Sequence, residues 1–121
     1  MDTSLVLIIE DEDDIAELYA YVLKQAGFTT EVIRDGKAAL GRLAAVAPVL
    51  VILDMHLPQV SGSDILRRIR ADQRLAGTRV IVTTGDGQAA SALEQEADLV
   101  LVKPVSQHQL SDFALRLRPP K

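Results

Sequence analysis

The chain has 121 residues, 48% hydrophobic but only 3% aromatic, so a single core must be assembled from Val, Leu, Ile and Ala. The absence of cysteine excludes disulfides and thiolate metal sites, and the net charge of −4 argues against nucleic acid as a direct partner. No apolar run approaches the roughly 20 residues of a membrane span and no leader pattern is evident, so one cytoplasmic domain over residues 1–121 is expected.

Strand and helix signals alternate along the chain. Leu5 to Ile9 is a short apolar run. Asp13 or Asp14 can cap a helix carrying Ile15, Leu18 and Val22 on one face, with Gly27 as its stop. Thr29 to Ile33 reads as a second strand. Asp35-Gly36 then turns into a helix with Leu40, Leu43, Ala44 and Ala47 inward, ended by Pro48. Val49 to Leu53 is continuously apolar and runs into Asp54, the pattern of a strand buried on both faces. Ser61-Gly62-Ser63 leads into a helix with Ile65, Leu66 and Ile69 inside. Val80 to Thr84 is a fourth strand, Ala89 to Glu96 a short, weak helix, and Leu99 to Val102 a fifth strand. Ser106 can cap a last helix with Leu110, Phe113, Ala114 and Leu117 inward, and Pro119-Pro120 ends the domain. Arg67, Arg68, Arg70, Arg74 and Arg79 form the one basic cluster, read as a solvated helix face.

Five βα units in succession imply a parallel sheet with helices on both faces, because each parallel crossover needs a helix. The carboxyl ends of all five strands then lie on one edge, where open α/β sheets place their chemistry. Glu10-Asp11, Asp54, Thr84-Gly85 and Lys103-Pro104 each end a strand there. Taken singly, Asp54 reads equally as a turn cap and the acidic run 10–14 as a helix start favoured by the macrodipole. Together, three carboxylates repel one another, and a hard cation relieves the repulsion. All-oxygen ligation fits Mg²⁺. Zn²⁺ fits poorly, since the two histidines, His56 and His108, lie on separate segments. Asp54 can act as a nucleophile toward phosphorus, with Lys103 and the Thr84 hydroxyl neutralising the transferred group and Gly85 leaving space for it.

The segments VLIIEDE, LVILDMHLPQVSG, VIVTTG and LVKP, in this order and spacing, resemble the receiver domain of two-component response regulators over essentially the whole chain. The resemblance implies a flavodoxin-like three-layer (βα)5 sandwich with a five-stranded parallel sheet of order 2-1-3-4-5. It implies that Asp54 is the phosphoacceptor, served by a sensor histidine kinase or histidine phosphotransfer protein. It further implies Mg²⁺ (Mn²⁺ substituting) on Glu10, Asp11, Asp54 and the His56 backbone carbonyl, and phosphoryl oxygens on Thr84 and Lys103. Such a domain is a signalling module, a monomer or weak homodimer, with its own phosphorylation and hydrolysis chemistry rather than a metabolic enzyme. A receiver-like interaction module that binds its partner regardless of phosphate is the alternative. An aspartyl-nucleophile phosphatase fits less well, because that class commonly has a second Asp where His56 stands.

Three positions depart from the family pattern. Val100 replaces the usual aromatic residue three before the lysine, so the usual switch is expected to be muted or different. The segment from Thr84 to Lys103 is about three residues shorter than usual, and Glu96 stands where a helix-stopping Gly is common, so a short or irregular helix is expected there. His56 and Asp86 occupy the positions that flank the phosphoryl site and influence hydrolysis, and they are expected to bond each other across it.

Overall fold

A computed structural model describes residues 4–88, 93 and 95–118. Five parallel strands, β1 (Leu5–Ile9), β2 (Thr29–Ile33), β3 (Leu50–Asp54), β4 (Arg79–Thr84) and β5 (Leu99–Val102), form one sheet in the order β2-β1-β3-β4-β5. Four α-helices are present among the described residues: α1 (Asp13–Gln25), α2 (Gly36–Ala45), α3 (Gly62–Ala71) and α4 (Gln107–Leu117). The parallel sheet is the one the alternating pattern predicts, and its order gives the flavodoxin-like sandwich that the family resemblance implies. The expected short helix at 89–96 and the Pro119-Pro120 terminus fall largely or wholly outside the described residues.

The core lies in two layers. Leu7, Ile9, Val51, Leu53, Val80 and Val82 face α2 and α3. Val6, Ile8, Leu50, Ile52, Ile81 and Leu101 face α1 and α4. All five residues of β3 are buried, which explains why its sequence does not alternate.

The register decides what meets at the upper edge. Leu53 pairs with Ile9, Asp54 with Thr83, and Thr84 with Val102. Side chains alternate along a strand. Thr83 therefore follows Ile81 toward the α1–α4 layer, and Thr84 follows Val82 toward the other.

Several local expectations are corrected. The N-cap of α1 is Glu12, which makes no side-chain cap bond, and Asp13 and Asp14 lie in the first turn, where the macrodipole favours them. The buried face of α1 is Ala16, Tyr19, Ala20, Val22 and Leu23, while Leu18 is 38% exposed and Ile15 half-buried. The two alanines let the helix approach the sheet closely and rotate the larger Leu18 outward. In α2, Asp35 caps Ala38 N at 2.8 Å, and the buried face is Gly36, Ala39 and Leu43; Ala44 and Ala47 are exposed. The helix stops at Ala45, since Pro48 favours extended backbone before it. Ser61 caps α3, and Ser106 with Gln109 forms a capping box on α4, as their spacing predicts.

All five arginines of the basic cluster are exposed, as the sequence reading holds, but several also make specific bonds. Arg70 donates to the carbonyls of Glu96 (2.6 Å) and Thr78 (3.0 Å) and to Asp98 (2.8 Å). Arg74 donates to the carbonyls of Val46 (3.0 Å) and Leu43. Arg79 reaches Asp98 at 3.1 Å, and Arg67 pairs with Asp64. Asp98 also accepts from Val80 N at 2.7 Å, and its own N–H donates to Val80 O at 3.0 Å. Burial pushes the Asp98 carboxyl up. The Val80 N–H bond and the Arg70 and Arg79 guanidinium groups outweigh that and hold it below its ordinary value.

Asp98 thus fixes where β5 joins β4, and β5 carries Lys103 at its end. Asp98→Ala removes one bond from each of the Arg70 and Arg79 guanidinium groups and the acceptor of the Val80 N–H, and it is expected to lower unfolding stability by on the order of 2–3 kcal/mol in urea titrations. The Asp98 contribution belongs above its ordinary pKa of 3.8 and is lost as pH falls through the lower folded value.

Candidate functional site

Four strand ends bring Glu10, Asp54, Thr84 and Lys103 to one rim, as the sequence predicts. Asp54 and Glu10 are 2% and 1% exposed, and Thr84 is equally buried. Lys103 Nζ donates to Glu10 Oε1 at 3.0 Å and lies 3.3 Å from Asp54 Oδ1. Asp54 Oδ1 also accepts from the backbone N–H of His56 at 3.2 Å, and Glu10 Oε2 from that of Glu12 at 3.3 Å. Carboxylate oxygens of Glu10, Asp11 and Asp54 all lie within 4.8 Å of one another, with Asp11 on the exposed side.

Electrostatics set the resting state of this cluster. Burial pushes the Glu10 carboxyl up to about 7; Lys103 opposes the rise and the Asp54 carboxylate adds to it. Burial works against the Lys103 ammonium, but its bonds to Glu10 and the charge of Asp54 raise its pKa above the ordinary value. One ammonium thus offsets part of the repulsion between two buried carboxyls. The all-oxygen donor set, crowded and incompletely neutralised, fits a hard divalent cation.

The loops hold this geometry. Thr84 Oγ1 accepts from Asp86 N at 3.1 Å, which fixes the hydroxyl at the strand end, and Lys103 N donates to Thr84 O at 2.7 Å. After Asp54 the chain folds tightly onto α2 and α3. A Cβ on Gly62 would sit 2.6 Å from Asp54 O, and one on Gly36 would sit 2.4 Å from Val60 O. Only glycine fits either contact. Gln59 completes the turn in the left-handed region at φ 72°. Gly85 differs: a methyl group there would meet nothing within 4 Å, so packing does not demand glycine.

The pairing expected of His56 and Asp86 is not seen. Both are exposed on neighbouring loops, and no hydrogen bond or ion pair joins them among the described residues. Val100 is half-buried and packs against the α2–α3 layer. Two hydroxyl residues escaped sequence reasoning. Thr83 Oγ1 is fully buried without a hydrogen-bond partner, beside Asp54 in register. Tyr19 is buried on α1 and shares a crevice with Lys103. A hydroxyl before Thr84 and an aromatic on an apolar helix face both read as ordinary core in a sequence.

The comparisons agree with this geometry. The family model described as "Response regulator receiver domain" matches residues 6–114. Sensory transduction protein RegX3 of Mycobacterium bovis is 34% identical over 105 residues, covering 87% of this chain and 46% of that protein. DNA-binding response regulator MtrA of Mycolicibacterium smegmatis is 35% identical over 112 residues, covering 91% of this chain and 49% of that protein. The chain therefore spans about half the length of the curated relatives it matches. The structure of response regulator protein TrrA from Thermotoga maritima, in complex with Mg²⁺–BeF, superposes with a TM-score of 0.85 at 27% identity, covering 94% of this chain and 98% of that one. With that fold, that rim and those matches, the chain belongs to the response regulator receiver domain family.

Proposed function

We propose that this receiver domain takes a phosphoryl group from the phosphohistidine of a sensor histidine kinase or histidine phosphotransfer protein onto Asp54, in a Mg²⁺-dependent reaction. The observation that carries this reading is the convergence of Glu10, Asp11 and Asp54 within 4.8 Å, with Lys103 bonded between the two buried carboxyls. Side-chain oxygens of Glu10, Asp11 and Asp54 and the backbone carbonyl of His56 would hold the cation, Mn²⁺ substituting for Mg²⁺. When bound, the cation supplies charge neutralisation for the carboxylates and the phosphoryl oxygens.

The chain's own groups account for the rest of the step. A carboxylate oxygen of Asp54 attacks phosphorus, an O–P bond forms, the donor's N–P bond breaks, and the imidazole keeps the electron pair. Lys103 is poised to turn from Glu10 to a phosphoryl oxygen. The Thr84 hydroxyl accepts from Asp86 N, which leaves its own proton free to donate to another oxygen. His56 and Asp86, exposed on the loops beside the site, modulate how readily water reaches the acyl phosphate. Val100 offers no ring to swing inward, and this favours an output other than the aromatic-coupled change. The binding of Mg²⁺–BeF by TrrA supports the same site chemistry in a relative.

Incubation with Mg²⁺ and acetyl phosphate is expected to add one phosphate by intact mass, absent from Asp54→Asn; labelling that persists in the variant would move the acceptor elsewhere. His56→Ala and Asp86→Ala are each expected to change the phosphate half-life about two- to fivefold, following the magnitude of a weak polar contact. Equal half-lives would remove both residues from the reaction. Glu10 gives a pH signature in metal-free buffer. Its folded pKa of about 7 exceeds the ordinary 4.5, so the native state binds the extra proton. That stability is complete below pH 4.5 and declines as pH rises through 7, by on the order of 3 kcal/mol. Glu10→Gln is expected to flatten this decline in thermal scans. Mg²⁺ is expected to stabilise the wild type more at pH 8 than at pH 5, because it competes with that proton.

A further inference from the structure

Thr83 Oγ1 is the one fully buried side-chain oxygen or nitrogen without a hydrogen-bond partner among the described residues. The sheet fixes its place. Asp54 and Thr83 are register partners on the adjacent parallel strands β3 and β4, and just beyond that pair Met55 N–H donates to Thr83 O at 3.1 Å. Leu50, Ile52 and Ile81 lie in the α1–α4 layer, so alternation carries Asp54 and Thr83 to that same face. Glu10 follows Ile8 there from β1. One row across the sheet end therefore reads Glu10, Asp54, Thr83. Adjacent strands run about 4.8 Å apart, so the Asp54 and Thr83 side chains stand next to each other. Thr84 turns to the opposite face, and its hydroxyl is already bonded to Asp86 N.

A buried hydroxyl without a partner costs stability, and a strand position does not require one, since Val has the same shape and suits a strand as well. At rest Asp54 has its donors: Oδ1 accepts from His56 N–H and lies 3.3 Å from Lys103 Nζ. In the acyl phosphate Lys103 serves a phosphoryl oxygen, and the Asp54 carboxyl loses its ammonium. Hydrolysis then returns charge to that carboxyl. The oxygen of water bonds to phosphorus, and the Asp54 O–P bond breaks. Its electron pair stays on the carboxylate, and both protons of water leave with inorganic phosphate. In a loose transition state the breaking bond has already given most of its charge to the carboxylate. A donor beside it bonds that state more strongly than the uncharged acyl oxygen.

Resting on the phosphoacceptor reading above, we propose that the Thr83 hydroxyl shortens the lifetime of the acyl phosphate: rotated about its Cα–Cβ bond, it donates to the Asp54 carboxyl once Lys103 has left, and stabilises the departing carboxylate during hydrolysis. It acts from inside the core, apart from the exposed loop residues His56 and Asp86. An unpaired hydroxyl at rest is the cost of having a donor ready for that step.

Thr83→Val keeps the shape and removes the hydroxyl, while Thr83→Ser keeps the hydroxyl. Each protein is labelled with Mg²⁺ and acetyl phosphate, freed of donor, and followed by intact mass in Mg²⁺ buffer. The phosphate half-life is expected to lengthen about fivefold in Thr83→Val, the effect of one hydrogen bond, and to stay within about twofold of wild type in Thr83→Ser. In metal-free buffer the thermal midpoint of Thr83→Val is expected to be no lower than that of wild type, because no bond is lost. A Thr83→Val half-life equal to wild type overturns the proposal. So does an equally long half-life in Thr83→Ser, which assigns the effect to packing. A lowered midpoint in Thr83→Val overturns it too, since the hydroxyl is then paired at rest. If Thr83→Val takes no label while wild type does, the hydroxyl serves formation of the acyl phosphate and the proposal fails. A wild type that takes no label overturns the phosphoacceptor reading and this proposal with it, an outcome distinct from equal half-lives in two labelled proteins.

Discussion

One ammonium between two buried carboxyls is the constraint around which this domain is arranged. Lys103 reaches Glu10 and Asp54 from β5, two strands away from β3 across β4, so the site exists only while β1, β3, β4 and β5 keep their register. Every structural device near the rim serves that register. Asp98 ties the start of β5 to β4, the Lys103 N–H bonds Thr84 O, and the glycines at 36 and 62 let the loop after Asp54 close down on its own strand end. The cluster stabilises little by itself, because desolvation of two carboxyls offsets most of the attraction to a single cation. Its resting state is therefore one that a divalent cation and a phosphoryl group can improve.

The sheet's alternation divides the work around that cluster. Thr83 and Thr84 are adjacent hydroxyls on opposite faces. Thr84 is tied to the backbone of Asp86 and faces the α2–α3 layer, while Thr83 lies beneath Asp54 in the α1–α4 layer without a partner. Consecutive residues of one strand thus meet different neighbours, one hydroxyl bonded to the loop backbone and the other buried without a partner. The sequence reading pairs the Thr84 hydroxyl with a space left by Gly85. The structure places Thr84 at the strand end but shows open space at Gly85, so the small residue is not what packing requires.

The fold and the rim were legible because both rest on strong local signals. An unbroken apolar strand ending in Asp54, a carboxylate pair after β1 and a Lys-Pro after β5 each specify a strand end, and parallel topology brings strand ends together. Helix faces were less legible. Close packing of α1 depends on Ala16 and Ala20, which a reading weighted toward large apolar residues passes over in favour of Ile15 and Leu18. The arginine cluster is exposed as read, but the inward bonds of Arg70 and Arg74 were hidden for a similar reason. They include the carbonyl groups of Leu43, Val46, Thr78 and Glu96, and backbone acceptors leave no trace in residue identity. Tyr19 was invisible as a polar group because its ring satisfies the apolar pattern.

Val100 gives these corrections their functional weight. It packs half-buried against the α2–α3 layer and offers no ring there. The backbone of β5 is held to β4 at both ends, by Asp98 at the start and by the Lys103 N–H at the finish. The Lys103 side chain at the end of this edge is 21% exposed and forms a wall of the crevice shared with Leu18, Tyr19 and Val105. A movement of Lys103 away from Glu10 would alter that crevice, because its side chain is part of the lining. With Val100 on β5, the Lys103 side chain is the group that joins the carboxylate cluster at Asp54 to the crevice against α1.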